Sequence, residues 1–219
     1  MNTRDQLLLT AEKLYGERGL NGVSLREIVR ESGQKNASAA HYHFGSREGL
    51  IEAIFDKRMS MLDKHRITLL TQVENDGKGH DLYCIVDAIS RPLVELMHKN
   101  GPERHYVRFL AEMFLSPEFR VDDFVERKHD LGMRRAFDLI CAQLTDIPSK
   151  LLRQRFLLGV HCTVLGLADI DSERSRRKTR GQAFNLQRAV DNLTDMMVGA
   201  LTAPVTPRTA AHLDKQDAA

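Results

Sequence analysis

The chain has 219 residues, 42% hydrophobic and 28% charged, the balance of a globular protein with room for one large core or two smaller ones. Its formal net charge is only +2, so no global surplus points to a polyanionic partner, and any nucleic-acid contact must be a local surface. No apolar run reaches the roughly 18 residues of a membrane span. The first 18 residues carry Asp5, Glu12 and Glu17 where a secretion signal would be apolar, and three dispersed cysteines (Cys84, Cys141, Cys162) suit a reducing compartment, so a cytoplasmic protein is expected.

Periodicity is helical nearly throughout, and alternating β-branched runs are absent, which predicts an all-α fold. Thr3 and Gln6 form a capping box for a first helix whose inner face is Leu7, Leu8, Ala11, Leu14 and Tyr15, with Gly19 as its stop. Ser24 and Glu27 form a second capping box, opening a helix at 25–32 that points Leu25, Ile28 and Val29 inward and ends at Gly33. A third short helix is expected at 37–44, ended by Gly45, after which Ser46 caps a long fourth helix with Leu50, Ile51, Ile54, Phe55 and Leu62 on its apolar face. Further helices are expected at 81–98, 103–115, 118–145, 148–170 and 183–202, with Pro102, Pro117 and Pro148 at or near first helical positions. Residues 204–219 are expected to be a flexible tail.

Short helices joined by a tight glycine-bearing turn are the pattern of a helix-turn-helix, here 25–44. In such a motif the second helix enters the major groove and the first crosses the backbone, so the groove side must be small or polar. Lys35, Asn36, Ala37, Ser38, Ala39 and His41 meet that requirement, where a packing helix would carry large aliphatics. The simpler alternative, a three-helix core without DNA contact, is disfavoured by that shortage of aliphatics.

The residues Ala11 to Gly19, Val23-Ser24-Leu25-Arg26-Glu27-Ile28, Gly33, and Tyr42-His43-Phe44-Gly45-Ser46-Arg47-Glu48-Gly49-Leu50 resemble the N-terminal domain of TetR-family regulators. The resemblance covers about the first 60 residues. One residue more than the commonest family spacing separates Gly33 from the Tyr-His-Phe triplet, and the turn or the start of the reading helix absorbs it. The resemblance implies that Ser24 bonds a phosphate, that Arg26 reaches a base edge or phosphate, and that Ser38 holds the small residue at the groove, beside Lys35, Asn36 and His41 read from the motif itself. It also implies that Tyr42 and His43 contact the backbone and that Arg47 opens the fourth helix beside the phosphates. For Arg26 and Arg47 a plain solvated arginine, and for His43 a buried satisfied histidine, are the competing readings.

The expected organisation is a helix-turn-helix domain at 1–62 and a larger helical effector-binding and dimerisation domain at 63–203. Phe156, Val160 and Val164 on one long helix, and Leu186, Val190, Leu193 and Met197 on the next, fall at three-to-four spacing and are read as a four-helix dimer seam, with packing inside one subunit as the alternative. The resemblance implies the same seam, and a small-molecule effector in the middle helices. Phe109, Met113, Phe114, Phe119, Phe124, Met133 and Phe137 would line an adaptable apolar pocket or fill a core, with His105 and Arg108 as polar recognition. An apolar or amphipathic effector follows.

No acid–base, nucleophile or phosphate-loop pattern is visible, so neither enzyme activity nor a cofactor is expected. His41 and His43 diverge on a helix, and the Glu95–His98 pair lacks the second copy a di-metal site needs, so no metal is expected. The basic run Arg174, Arg176, Arg177, Lys178, Arg180 is read as a solvated loop between helices. The functional expectation is a homodimeric repressor, released from a palindromic operator by its effector.

Overall fold

A computed structural model describes residues 2–36, 38–99, 101–119 and 130–213. Among these residues every regular element is helical: α1 (Thr3–Arg18), α2 (Leu25–Glu31), α3 (Ala39–Phe44), α4 (Arg47–Asn75), α5 (Leu82–His98), a 3₁₀ turn (Pro102–His105), α6 (Tyr106–Leu115), α7 (Leu131–Cys141), α8 (Ser149–Thr179), α9 (Leu186–Thr202) and α10 (Pro207–Ala210). They group into two compact units, Met1–Asp63 with Leu93–Asp130, and Lys64–Pro92 with Leu131–Ala219. The long helices α4 and α5 run through both. Pro92, which donates no N–H to the helix ladder, is the residue at which α5 changes unit.

The first unit differs from the single N-terminal stretch expected from sequence because α6 packs on α1. Tyr106, Val107, Phe109 and Met113 are fully buried, as are Leu7, Ala11, Tyr15, Leu50, Ile51 and Phe55 in the same unit. Tyr15 and Phe109 lie 6.3 Å apart, Phe109 and Tyr106 5.7 Å. The α1–α6 approach is close enough that a Cβ on Gly16 would sit 2.6 Å from the His105 carbonyl oxygen. Between α1 and α4, Arg58 donates two hydrogen bonds to Glu12, at 2.9 and 3.0 Å, with both side chains buried. Burial pushes the Glu12 carboxyl up to about 7, against the opposing pull of Arg58.

The second unit has its core on Leu70, Ile85, Ala136, Ile140, Leu152, Phe156, Met197 and Leu201. Helices α8 and α9 pack closely where small residues permit it. A Cβ on Gly159 would collide with Met197, and one on Gly166 with Leu193.

Several expectations are corrected. Asn2, not Thr3, caps α1, accepting from the Asp5 N–H at 2.7 Å. Helix α8 continues to Thr179, so Arg174, Arg176, Arg177 and Lys178 occupy its last two turns rather than a loop. Cations there meet the negative end of the helix dipole, and Glu173 pairs with Arg176 at 2.9 Å and Arg177 at 2.7 Å. The helix expected at 183–202 starts at Leu186, with the Asn185 side chain accepting from the Arg188 N–H. Within the tail, Pro207–Ala210 form a helical turn capped by Thr206. The expected helix start at Ala37, the pocket residue Phe124 and the tail beyond 213 lie outside the described residues.

The effector-pocket set is also redistributed. His105, Arg108, Phe109 and Met113 belong to the first unit, where Phe109 and Met113 are fully buried core. Phe137 belongs to the second unit, its ring tilted against Phe156 at 5.2 Å. Burial holds His105 below its ordinary pKa, with Glu17 at 3.8 Å opposing. Of the expected dimer-seam residues, Phe156, Val164, Val190 and Met197 are buried within the single chain, and Val160, Leu186 and Leu193 are half-buried.

Candidate nucleic-acid interface

Gly19 ends α1 at φ 78°, a left-handed conformation that costs a glycine nothing, and turns the chain toward α2. Leu20 and Val23 anchor that turn in the core. Ser24 then caps α2, its Oγ accepting from the Glu27 N–H at 3.2 Å. The Glu27 carboxylate reaches Arg18 at 2.5 Å, which ties α2 to the end of α1. Ile28 and Val29 face inward, and Arg26 and Arg30 face solvent.

Gly33, at φ 72°, ends α2, and Gln34 N–H returns to the Val29 carbonyl at 3.2 Å. The turn is fixed to α1 by the Gln34 side-chain amide, which donates to Gln6 at 2.5 Å. Lys35 and Asn36 are exposed, and the Asn36 side chain accepts from the Ser38 N–H at 2.9 Å, setting the approach to α3.

Helix α3 has one buried side and one bare side. Ala39 and Ala40 are buried, which removes Ala39 from the groove-facing set: the helix needs small residues there to lie close to its neighbours. Ser38 and His41 are exposed, and Tyr42 is 85% exposed, the largest exposure among the big apolar side chains of the described residues. His43 is half-buried, its ring 5.1 Å from Tyr42 in an edge-on arrangement, which is intermediate between the two readings open from sequence. Phe44 is half-buried under the Arg4 guanidinium, 5.3 Å from its ring centre. Gly45, at φ 74°, closes α3, and Ser46 caps α4 by accepting from Gly49 N–H at 3.1 Å.

Ser24, Arg26, Lys35, Asn36, Ser38, His41 and Tyr42 are thus all exposed on the two helices and turn of one motif. Arg47 stands apart. Its Nη2 donates to the Leu20 carbonyl at 2.7 Å and to Asn21 Oδ1 at 3.1 Å, and its Nη1 lies 3.4 Å from Glu118. Tyr15 lies buried nearby, its phenol pushed up to about 12 by burial, with the Arg47 charge pulling the other way. Sequence reasoning missed Asn21, Arg4 and Glu118. The first two carried only ordinary surface signals, and Glu118 lies 71 residues from its partner with no spacing to connect them.

In the second unit, a cavity of about 10 Å³ lies between α5, α8 and α9, lined by Val86, Ser90, Thr163, Leu167, Val190, Leu193, Thr194 and Met197. That is room for one water molecule at most. No helix among the described residues is long and apolar enough to cross a membrane, and no cluster of three metal-ligating side chains occurs among them.

Comparison with known proteins places these features. A family model described as "Bacterial regulatory proteins, tetR family" matches residues 7–54, and one described as "Tetracyclin repressor-like, C-terminal domain" matches residues 87–200. Among solved structures, a candidate tetR family transcription regulator from Shewanella sp. PV-4 aligns with a TM-score of 0.63 at 15% identity, over 91% of this chain and 98% of that one. At that identity the likeness concerns the fold alone. No curated protein matches significantly.

Proposed function

The chain belongs to the TetR family of DNA-binding transcription regulators, and we propose that it is a homodimeric repressor that grips a palindromic operator and lets go when a small molecule binds its C-terminal domain. The observation that carries the DNA-reading part is α3: six residues long, buried through two alanines, and presenting Ser38, His41 and Tyr42 to solvent. Such a helix gains little from its exposed side unless a partner covers it, and a major groove fits its width. The description of the C-terminal model as repressor-like favours repression over activation.

Dimerisation supports palindromic recognition because two reading helices about one DNA turn apart multiply the affinity of one. The seam we propose differs from the stripes that fill the subunit. Helical spacing puts Leu151, Leu158, Cys162 and Leu165 along a side of α8 other than the one facing α9, with Leu158 65% exposed. Ala189, Met196 and Ala200 share a side of α9, with Met196 63% exposed. Exposed apolar surface on two adjacent long helices is what a four-helix seam needs. An apolar or amphipathic effector remains the proposal for the C-terminal domain, which rests on the family match and not on the pocket residues named from sequence.

The test is a gel shift of the DNA fragment upstream of the protein's own gene, with sedimentation of the same preparation. Retarded DNA and a dimer are expected. Leu158→Asp should sediment as a monomer and lose most operator affinity. An unshifted fragment across a salt titration, with a folded protein, overturns the DNA-reading proposal, and a Leu158→Asp dimer overturns the seam.

A further inference from the structure

The two terminal nitrogens of the Arg47 guanidinium have different employment. Nη2 is spent inside the fold, on the Leu20 carbonyl and Asn21 Oδ1. Both acceptors lie in the turn that delivers Ser24 to its capping position, so this half of the side chain sets the shape of the reading head. Nη1 meets carboxylates: Glu118 at 3.4 Å and Glu48 at 3.8 Å, both more than half exposed. Glu48 is the next residue of the same helix. Glu118 comes from beyond the end of α6, in the same compact unit.

A carboxylate oxygen beside a guanidinium nitrogen has the charge and donor–acceptor geometry of a phosphate oxygen beside the same group. We propose that Glu118 acts as an internal stand-in for a backbone phosphate, occupying the outward nitrogen of Arg47 so that DNA must displace it. Arg47 is then a positioning residue through Nη2 and a restrained phosphate ligand through Nη1, and Glu118 lowers DNA affinity by competition. This rests on the DNA-reading proposal above. It goes beyond it by giving a residue outside the helix-turn-helix a role in setting affinity.

An exposed ion pair of this kind is worth little, so the expected effect is modest: about two- to fivefold tighter binding when the competing charge is removed. The experiment is a double-mutant cycle on a random-sequence 30-base-pair duplex, since a phosphate contact does not depend on sequence. Affinity is measured for the full-length protein, Glu118→Gln, Arg47→Ala and the double variant, at several salt concentrations, with melting curves for each. Arg47→Gln serves as a second removal of the charge should the alanine variant fold poorly.

The expected result is that Glu118→Gln tightens binding while Arg47 is present, and that most of this gain vanishes once Arg47 is removed. Equal tightening in both backgrounds would show that Glu118 acts only as a general negative charge, and overturns the proposal. So would unchanged or weaker binding by a folded Glu118→Gln variant, which leaves Arg47 a purely internal clamp. If the unmutated protein binds no duplex at any salt, the DNA-reading proposal itself falls, an outcome distinct from the other two.

Discussion

Gly16 offers the sharpest test of how the reading head is held. It lies inside α1, where alanine in place of glycine ordinarily stabilises a helix by up to about 1 kcal/mol. Here the added Cβ would stand 2.6 Å from the His105 carbonyl oxygen and 3.3 Å from its Cβ. Neither is a flexible tip, and relieving the first contact means moving α6 away from α1 by most of an ångström. His105 ends the 3₁₀ turn that leads into α6, so that movement carries the start of α6 with it and would open the packing of Tyr15 on Phe109, both fully buried. Overpacking of this kind costs roughly 1–3 kcal/mol, so after the helix-propensity gain Gly16→Ala should lose about 1–2 kcal/mol at the upper end of that range. For a chain of this size the melting temperature falls by about 2–4 °C per kcal/mol. Gly16→Val, bulkier and a poorer helix former, should melt lower still. Thermal denaturation followed by circular dichroism reads both. A Gly16→Ala protein melting at or above the parent would refute the claim that α1 and α6 meet backbone to backbone.

Three further predictions follow from individual side chains. Tyr42→Ala should weaken DNA binding while leaving the melting temperature within a degree or so, because an 85% exposed ring contributes almost nothing to folding. Arg58→Ala should cost about 3–5 kcal/mol in urea unfolding, since it strands Glu12 without its two charged hydrogen bonds in the core. Glu12 titrates at about 7 when folded against an ordinary 4.5, so the folded state holds that proton more tightly. Its contribution is therefore complete below about 4.5 and is lost as pH rises through 7. Urea midpoints measured between pH 5 and 8 should fall toward the alkaline end, and Glu12→Gln should flatten that arm.

The local elements of the head were legible because they are written in local chemistry. Ser24 and Ser46 cap the helices they were expected to cap, and Gly19, Gly33 and Gly45 all take the positive φ that ends a helix. The inner face of α1 was read correctly from Leu7 to Tyr15. The α8 terminus was misread because five cations within seven residues look like a solvated loop, whereas a helix C-terminus attracts the same residues. The partner of an apolar stripe was not legible at all. Helix α8 carries apolar residues on more than one side: Phe156 and Leu167 lie in the subunit core, and Leu158 is exposed. Spacing of three and four registers each stripe equally and says nothing about which neighbour covers it.

The same limit explains the fate of Phe109 and Met113, and it bears on how the family's signal could travel. Aromatic and methionine side chains on a middle helix suit a ligand cavity, and here both are fully buried against α1, the helix that braces the turn between α2 and α3. The consequence is a mechanical shortness: α6 packs directly on α1, and α1 in turn contacts α2 and α3, so a shift of α6 by even part of an ångström acts on Tyr15 and Gly16. Close-packed interiors resist such shifts continuously and yield in discrete rearrangements. The effector proposed above would have to favour one arrangement of α6 by a few kcal/mol to empty the proposed operator.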